Sequence, residues 1–383
     1  MKRRPGGSLV AFLGPSLPAA EARRIAPGAT VLPPAARGDV WRALALRPRA
    51  IALVDGVFES RPSVWHHELL DALDAGVAVF GGGSMGALRA AELQEYGAVG
   101  VGEIFRAYRD GKLVGDDEVA LLHADAEHGW RGLTVPLVAV RAAARALGGR
   151  DGRRLVRAAE GIFYQERSWR AVLAAARLAP AARARFDALA ARGLPDPKAD
   201  DARACLEAAA TFVTAGAPEP GAPWPPRPRP SHVRRRRLEA SPVLAAVTAV
   251  PGAGDRADAG LRTLALAALG RSLGIQVTAS EADAAGAAWF ERLGVRPRAR
   301  AAFLAASGLD RAEAARFFEV LALERRVLAR AAHLLPDGPS PLEGLALAAR
   351  LDGTWARLSA PTPVARLFGD EAADQLEPKL KRD

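Results

Sequence analysis

The chain has 383 residues, of which 50% are hydrophobic, 25% charged and only 6% aromatic, and it carries a formal net charge of +10. That length and apolar content allow two domains with cores of their own and exclude an intrinsically disordered chain. A single cysteine, Cys205, excludes an intrachain disulfide and any multi-cysteine metal site, and fits a reducing, cytoplasmic compartment. The apolar stretch Leu9 to Leu13 is too short for a signal-peptide core, and no apolar run is long enough to cross a bilayer, so a soluble protein is expected.

In chain order, short apolar runs bounded by Gly, Pro or Asp predict strands over Leu9–Leu13, Ala29–Leu32, Ala50–Val54 and Val77–Phe80. Between them the pattern predicts helices over Pro18–Ile25, Asp39–Leu46, Val64–Ala75 and Ser84–Tyr96. This alternation predicts an α/β fold, with an N-terminal, mostly parallel, Rossmann-like sheet covered by helices on both faces. Ile104–Arg109 reads as helix and Glu118–His123 as a further strand. Beyond Leu133 the pattern is helical: Val135–Leu147, Arg153–Tyr164, Trp169–Arg177, Ala181–Arg192 and Ala199–Phe212. Residues 214 to 231 are proline-rich and expected to be extended, and Arg234 to Arg237 follow them. From Val243 to Leu335 the chain is again helical by pattern, and the tail after Glu377 is expected to fray. The expected organisation is an α/β core over residues 1–150, a helical extension over 151–213, a Pro/Arg-rich linker over 214–237 and a mainly α-helical C-terminal domain over 238–383.

Ligands of open parallel sheets bind beyond the carboxyl ends of the strands. Gly14-Pro15-Ser16, Asp55-Gly56 and Gly82-Gly83-Ser84 all fall there. The last of these joins a strand to a helix, so its free N–H groups, those of Gly83 and Met85, suit an anion or a developing oxyanion. The N–H groups around Gly14 and Ser16 offer a second cradle. Gly82-x-Ser84-x-Gly86 has the spacing of a serine-hydrolase nucleophile elbow. Ser84 is therefore a candidate nucleophile; its bland role is a helix N-cap. Asp55 closes an apolar strand, where a carboxylate is costly unless exposed or paired, which favours the site over a simple Asp-Gly turn. His66 is a candidate proton shuttle, or merely, with Glu68, an exposed helix start. Arg89 and Glu92 can pair on one helix face, with Arg89 reaching the loop edge or serving only as structure. Asp116 and Asp117, with Glu118, form an acidic cluster that either holds an ion or is a solvated turn; no metal-ligand spacing accompanies it, so no metal is expected. Asp116 or Asp117 followed by His123 has the acid-then-histidine order of α/β-hydrolases, but the intervals are too short for an ordinary member. Ser84 would then bind an anion or attack with a different base.

Several of these motifs carry a resemblance. Ser-Met-Gly-Ala-Leu-Arg-Ala-Ala-Glu from Ser84, Gly100-Val101-Gly102-Glu103-Ile104-Phe105 and Asp116-Asp117-Glu118-Val119-Ala120 resemble the core of the TfuA-like family. Gly14-Pro15-Ser16, Asp55-Gly56-Val57-Phe58 and His66-His67-Glu68-Leu69-Leu70 agree, so the resemblance covers roughly residues 8 to 150. It implies an accessory protein of a YcaO enzyme, which uses ATP to activate a peptide amide for backbone thioamidation of ribosomally synthesised peptides. This chain itself would need no cofactor. Its partners would be the YcaO enzyme, a thiocarboxylated sulfur-carrier protein and, within the pathway, the precursor peptide. Two roles stay open: hydrolysis of the thiocarboxylated carrier at Ser84 to release sulfide, or non-catalytic docking that activates the YcaO enzyme.

The positive charge is almost all arginine, in a chain enriched in alanine and arginine throughout. Coding bias explains that composition more readily than a nucleic-acid partner does. The run Arg234 to Arg237 is read as a solvated face before a docking patch. Nucleic-acid binding ranks last, since no recognition motif accompanies the charge.

Overall fold

The computed structural model describes residues 9–58, 61–215, 229–309, 311–328 and 341–358. The described residues fall into two compact units, the first ending before residue 229 and the second running from Arg229.

Unit 1 is built on five parallel strands: β1 (Leu9–Phe12), β2 (Thr30–Leu32), β3 (Ala50–Leu53), β4 (Ala78–Gly81) and the short β5 (Val99–Gly100). Their order is β2-β1-β3-β4-β5. β1 pairs with β3 from Leu9↔Ala50 to Phe12↔Leu53, and β3 with β4 from Ala50↔Ala78 to Leu53↔Gly81. Every residue of β1, β3 and β4 is buried, as expected where helices cover both faces of a parallel sheet. The helices are α1 (Ala19–Ile25), α2 (Asp39–Leu44), α3 (His66–Asp74), α4 (Met85–Leu93), α5 (Glu103–Arg109), α6 (Leu137–Leu147), α7 (Gly149–Glu160), α8 (Trp169–Ala176), α9 (Pro180–Ala191) and α10 (Pro197–Thr214).

The two sheet faces differ in size. Val10, Phe12, Ile51, Leu53 and Val79 point to one side, where they pack with Val40, Leu69, Met85 and Leu93 of α2, α3 and α4. Ala11, Ala50, Ala52 and Ala78 point to the other, against Ala202, Cys205, Leu206 and Ala209 of α10. Alanines on both sides let a helix backbone come close to the strands. A helix more than a hundred residues downstream of β4 thus completes the sheet's cover. The burial of Cys205 pushes its thiol up to about 12, which makes it inert packing. Helices α6 to α9 form a side cluster around Val140, Leu155, Val172 and Phe186.

Unit 2 is helical: α11 (Ser231–Glu239), α12 (Pro242–Thr248), α13 (Ala253–Ser272), α14 (Ala279–Arg292), α15 (Arg300–Ala306), α16 (Arg311–Leu328), α17 (Pro341–Leu351) and α18 (Thr354–Leu358). Fully buried Trp289 centres its core, with Phe290, Phe303 and Phe317 around it.

The sheet and the helical second half agree with the expectation from sequence. Differences are local. β5 was not foreseen, because two residues carry no periodicity. Glu118–His123 is not a strand: Asp116–Glu118 form a 3-10 turn, and only an isolated bridge joins His123 to Gly132. The sheet edge is already taken by β5, and the acidic side chains are drawn to arginines instead. Arg234 to Arg237 lie on α11 and are exposed. Most of the expected linker (216–228) and the tail after Glu377 lie outside the described residues.

Candidate functional site

β1 lies between β2 and β3, so the chain runs outward in opposite directions from the β1/β3 pair. That is the switch point at which open α/β sheets bind ligands. A cavity of about 130 Å³ sits there, lined by Pro15 beyond β1, Asp55 and Gly56 beyond β3, Ser84 beyond β4, and His123 and Lys198.

Ser84 is placed by glycines. Gly83 has a φ of +74°, open to glycine at little cost, and a side chain on it would also press on the Lys198 carbonyl at 3.0 Å. A Cβ on Gly86 would lie 1.7 Å from the Leu53 carbonyl oxygen. Glycine there lets α4 sit against the end of β3, with the Gly86 N–H donating to the Val54 carbonyl at 3.0 Å. Ser84 itself is 2% exposed and precedes α4, yet its hydroxyl makes no capping hydrogen bond. The bland role expected for it is therefore not the one it plays. Among the described residues the N–H groups of Gly83 and Met85, on either side of Ser84 in the chain, have no hydrogen-bond partner.

Asp55 is held differently. One oxygen accepts the Gly14 and Ser16 N–H groups at 2.8 and 3.0 Å, and the other accepts the Ser16 hydroxyl at 2.6 Å. The cradle of Gly14 and Ser16 thus already has its anion, the Asp55 carboxylate. Of the two donor sets expected to bind an anion, the one at Gly83 and Met85 is unpaired among the described residues and the one at Gly14 and Ser16 is taken.

Lys198 is the residue that sequence reasoning missed. Asp196 caps α10 by accepting the Ala199 N–H at 3.1 Å, Pro197 occupies the first turn, and Lys198 follows. The side chain is buried, and its Nζ donates to the Val119 carbonyl at 2.9 Å. Burial pushes its pKa below the ordinary lysine range, and the negative charges of Asp55 and Asp196 only partly offset this. The chain has 53 cationic residues, almost all arginine, and arginine cannot give up its proton. A lysine at this buried position can. The signal available in sequence was a lysine in an arginine-rich chain, at the start of a helix expected over Ala199–Phe212.

The remaining candidates fall into two groups. His123 lines the cavity, and its Nδ1 donates to the Ala124 carbonyl at 2.8 Å. His66, Arg89 and Glu92 come together, but not among the residues lining the cavity. Glu92 accepts from Arg89 at 2.7 Å and meets His66 at 2.8 Å on the surface between α3 and α4. Arg89 also donates to the Val64 carbonyl at 3.2 Å. Glu68 is not an exposed helix start. It is fully buried and accepts the N–H groups of Gly38, Val40 and Trp65, capping α2 and α3 together. Asp117 and Glu118 of the acidic cluster are clamped by arginines. Arg141 makes a two-pronged pair with Glu118 at 2.7 and 3.0 Å, and buried Arg167 donates to the Asp117 carbonyl and carboxylate at 3.1 and 3.2 Å. Asp117 is thus bonded to Arg167 and does not serve His123.

Residues 55–168 match the family model described as TfuA-like protein. The chain carries a TfuA-like domain. The TfuA-like match begins at Asp55 and includes Ser84, the 3-10 turn and α6 to the end of α7. β1, β2 and Lys198 lie outside it, although they complete the same sheet and cavity. A search of curated proteins found no match. No helix among the described residues is long and apolar enough to cross a membrane.

Proposed function

We propose that this chain is the accessory protein of a YcaO enzyme in backbone thioamidation of ribosomally synthesised peptides. In that role it hydrolyses a thiocarboxylated carrier protein to release sulfide, with Ser84 as nucleophile and Lys198 as general base. The TfuA-like domain supports the pathway. One observation carries the chemistry: a serine hydroxyl free of capping duty and a buried lysine with a lowered pKa line the same cavity.

The reaction follows from those parts. Neutral Lys198 takes the Ser84 proton as Oγ attacks the thiocarboxylate carbon. The unpaired N–H groups of Gly83 and Met85, on either side of Ser84, are the donors assigned to the oxyanion. Collapse breaks the C–S bond, and the departing sulfur leaves as hydrosulfide with the proton held by Lys198. Water then attacks the acyl-serine ester, giving a proton to Lys198, which returns it to Ser84 Oγ as the ester C–O bond breaks, and the carrier leaves as a carboxylic acid that ionises. A cavity of about 130 Å³ has no room for a folded carrier but admits a chain end. ATP is used at the YcaO partner.

The test is mass spectrometry of a thiocarboxylated carrier protein incubated with wild type, Ser84→Ala and Lys198→Met. Conversion to the carboxylate by wild type alone supports the reading. If Ser84→Ala converts the carrier as well as wild type does, Ser84 is not the nucleophile. If no form converts it while Ser84→Ala still supports thioamidation by the YcaO enzyme, the chain is an adaptor.

A further inference from the structure

A second concavity lies away from the cavity, between α6 and α7. It is an open groove of about 590 Å³, lined by Arg141 and Arg145 of α6 and by Arg153, Arg157 and Glu160 of α7. Its floor includes Gly152, where a side chain would lie 2.2 Å from the Ala144 carbonyl, so the two helices sit close. Arg141 and Arg145 are four residues apart, as are Arg153 and Arg157. Each pair therefore spaces its charges by one helical turn, about 6 Å. Arg153 and Arg157 are exposed and bond to no other described residue. Arg145 meets only the exposed Glu103, at 3.3 Å. Arg141 is committed: to Glu118 by two bonds and to Glu160 at 3.0 Å.

The ligand class follows from the shape. The groove is open, holds no aromatic side chain to stack on a base, and spreads its charge along two helices. Carboxylates at alternate positions of an extended peptide are about 7 Å apart, close to the spacing of the arginines. The guanidinium fork matches a carboxylate with two hydrogen bonds.

The groove also touches the cavity indirectly. Glu118, the partner of Arg141, precedes Val119, whose carbonyl accepts Lys198 Nζ at 2.9 Å. An acid that draws Arg141 into the groove frees Glu118 and loosens the turn that presents that carbonyl. A hydrogen bond to a carbonyl favours the charged amine, so its loss favours the neutral one.

We propose that the α6–α7 groove binds an acidic peptide segment of a protein partner, and that occupancy is relayed to Lys198 through Arg141, Glu118 and Val119. The relay deepens the role given to Lys198 above, whereas the binding site stands without it.

The experiment uses the full chain and fluorescein-labelled hexaglutamate. Binding is followed by fluorescence anisotropy for wild type and for the charge-reversed double variant Arg153→Glu/Arg157→Glu, whose fold is checked by thermal unfolding. The expected result is saturable, salt-sensitive binding that weakens about tenfold or more in the double variant. Equal affinity in both proteins overturns the site. Inorganic pyrophosphate displacing the peptide at much lower concentration overturns the ligand class. The relay is read by pulse acetylation of Lys198 with acetic anhydride at neutral pH, quantified by peptide mass spectrometry. Hexaglutamate should raise it about threefold or more in wild type and leave the double variant unchanged; Arg141→Gln should raise it without peptide. Unchanged acetylation in both wild type with peptide and Arg141→Gln overturns the relay. Neither readout uses a thiocarboxylate, so a failed hydrolysis test leaves them interpretable.

Discussion

Lys198 and Val119 are joined by a 2.9 Å hydrogen bond across 79 positions of sequence, and this contact holds a buried amine in the cavity that Ser84 lines. Because burial lowers the Lys198 pKa, the amine gives up its proton at a lower pH than an ordinary lysine does. Carrier hydrolysis should therefore rise with pH along a limb set below the ordinary lysine range. Lys198→Met and Lys198→Arg should both lose about 1,000-fold or more, the second because a guanidinium stays charged. An active Lys198→Arg enzyme would exclude a base at this position.

Asp55 raises the Lys198 pKa by its charge while its oxygens are held by Gly14 and Ser16. Asp55→Asn keeps an acceptor for the two N–H groups and removes the charge. The rising limb of the pH–rate profile should move to lower pH. A limb that stays in place, in a folded variant, would mean that the titrating group is not Lys198.

Gly86 is a packing requirement more than a conformational one. With a Cβ 1.7 Å from the Leu53 carbonyl, Gly86→Ala forces α4 off β3 and should cost about 3 kcal/mol or more. Urea unfolding of unit 1 measures this. A loss below about 1 kcal/mol would mean that the helix start shifts freely, and Ser84 with it.

Burial pushes the Glu68 carboxyl from an ordinary 4.5 up to about 7, against the pull of the three N–H groups it accepts. The folded chain thus keeps a proton there that the unfolded chain releases. The stabilisation is present in full below about pH 4.5 and is lost as the pH rises through about 7. Its size is about 3 kcal/mol. Glu68→Gln, which cannot ionise, should lack this decline. Unfolding curves at pH 5 and pH 8 for both proteins compare the slopes, and equal slopes would remove Glu68 as the source.

What was legible in sequence was local and repetitive. The strands β1 to β4 were visible because fully buried parallel strands read as unbroken apolar runs. Ser84 and Asp55 were visible because glycines and polar residues interrupt the apolar runs at the strand ends. Three things were hidden. The nest of Gly14 and Ser16 looks open in sequence and is filled by Asp55 in space. Glu68 looks like an exposed helix start, and only the approach of α2 buries it. Lys198 sits among ordinary helix-forming residues, and no local pattern reveals that α10 crosses back over β3 and β4. Such information resides in the alanines of the sheet's second face, which make sense only once a partner helix is known.

That last arrangement sets an order of events during synthesis. The ribosome delivers Ser84 and Asp55 early, in strands and loops that can already pair. Lys198 emerges much later, with α10, after the side helices have been made. Until that helix docks, the alanine face has only the residues around α1 to cover it, while α2, α3 and α4 cover the other face. The cavity cannot be complete before α10 has been made, because the amine of Lys198 is part of its wall.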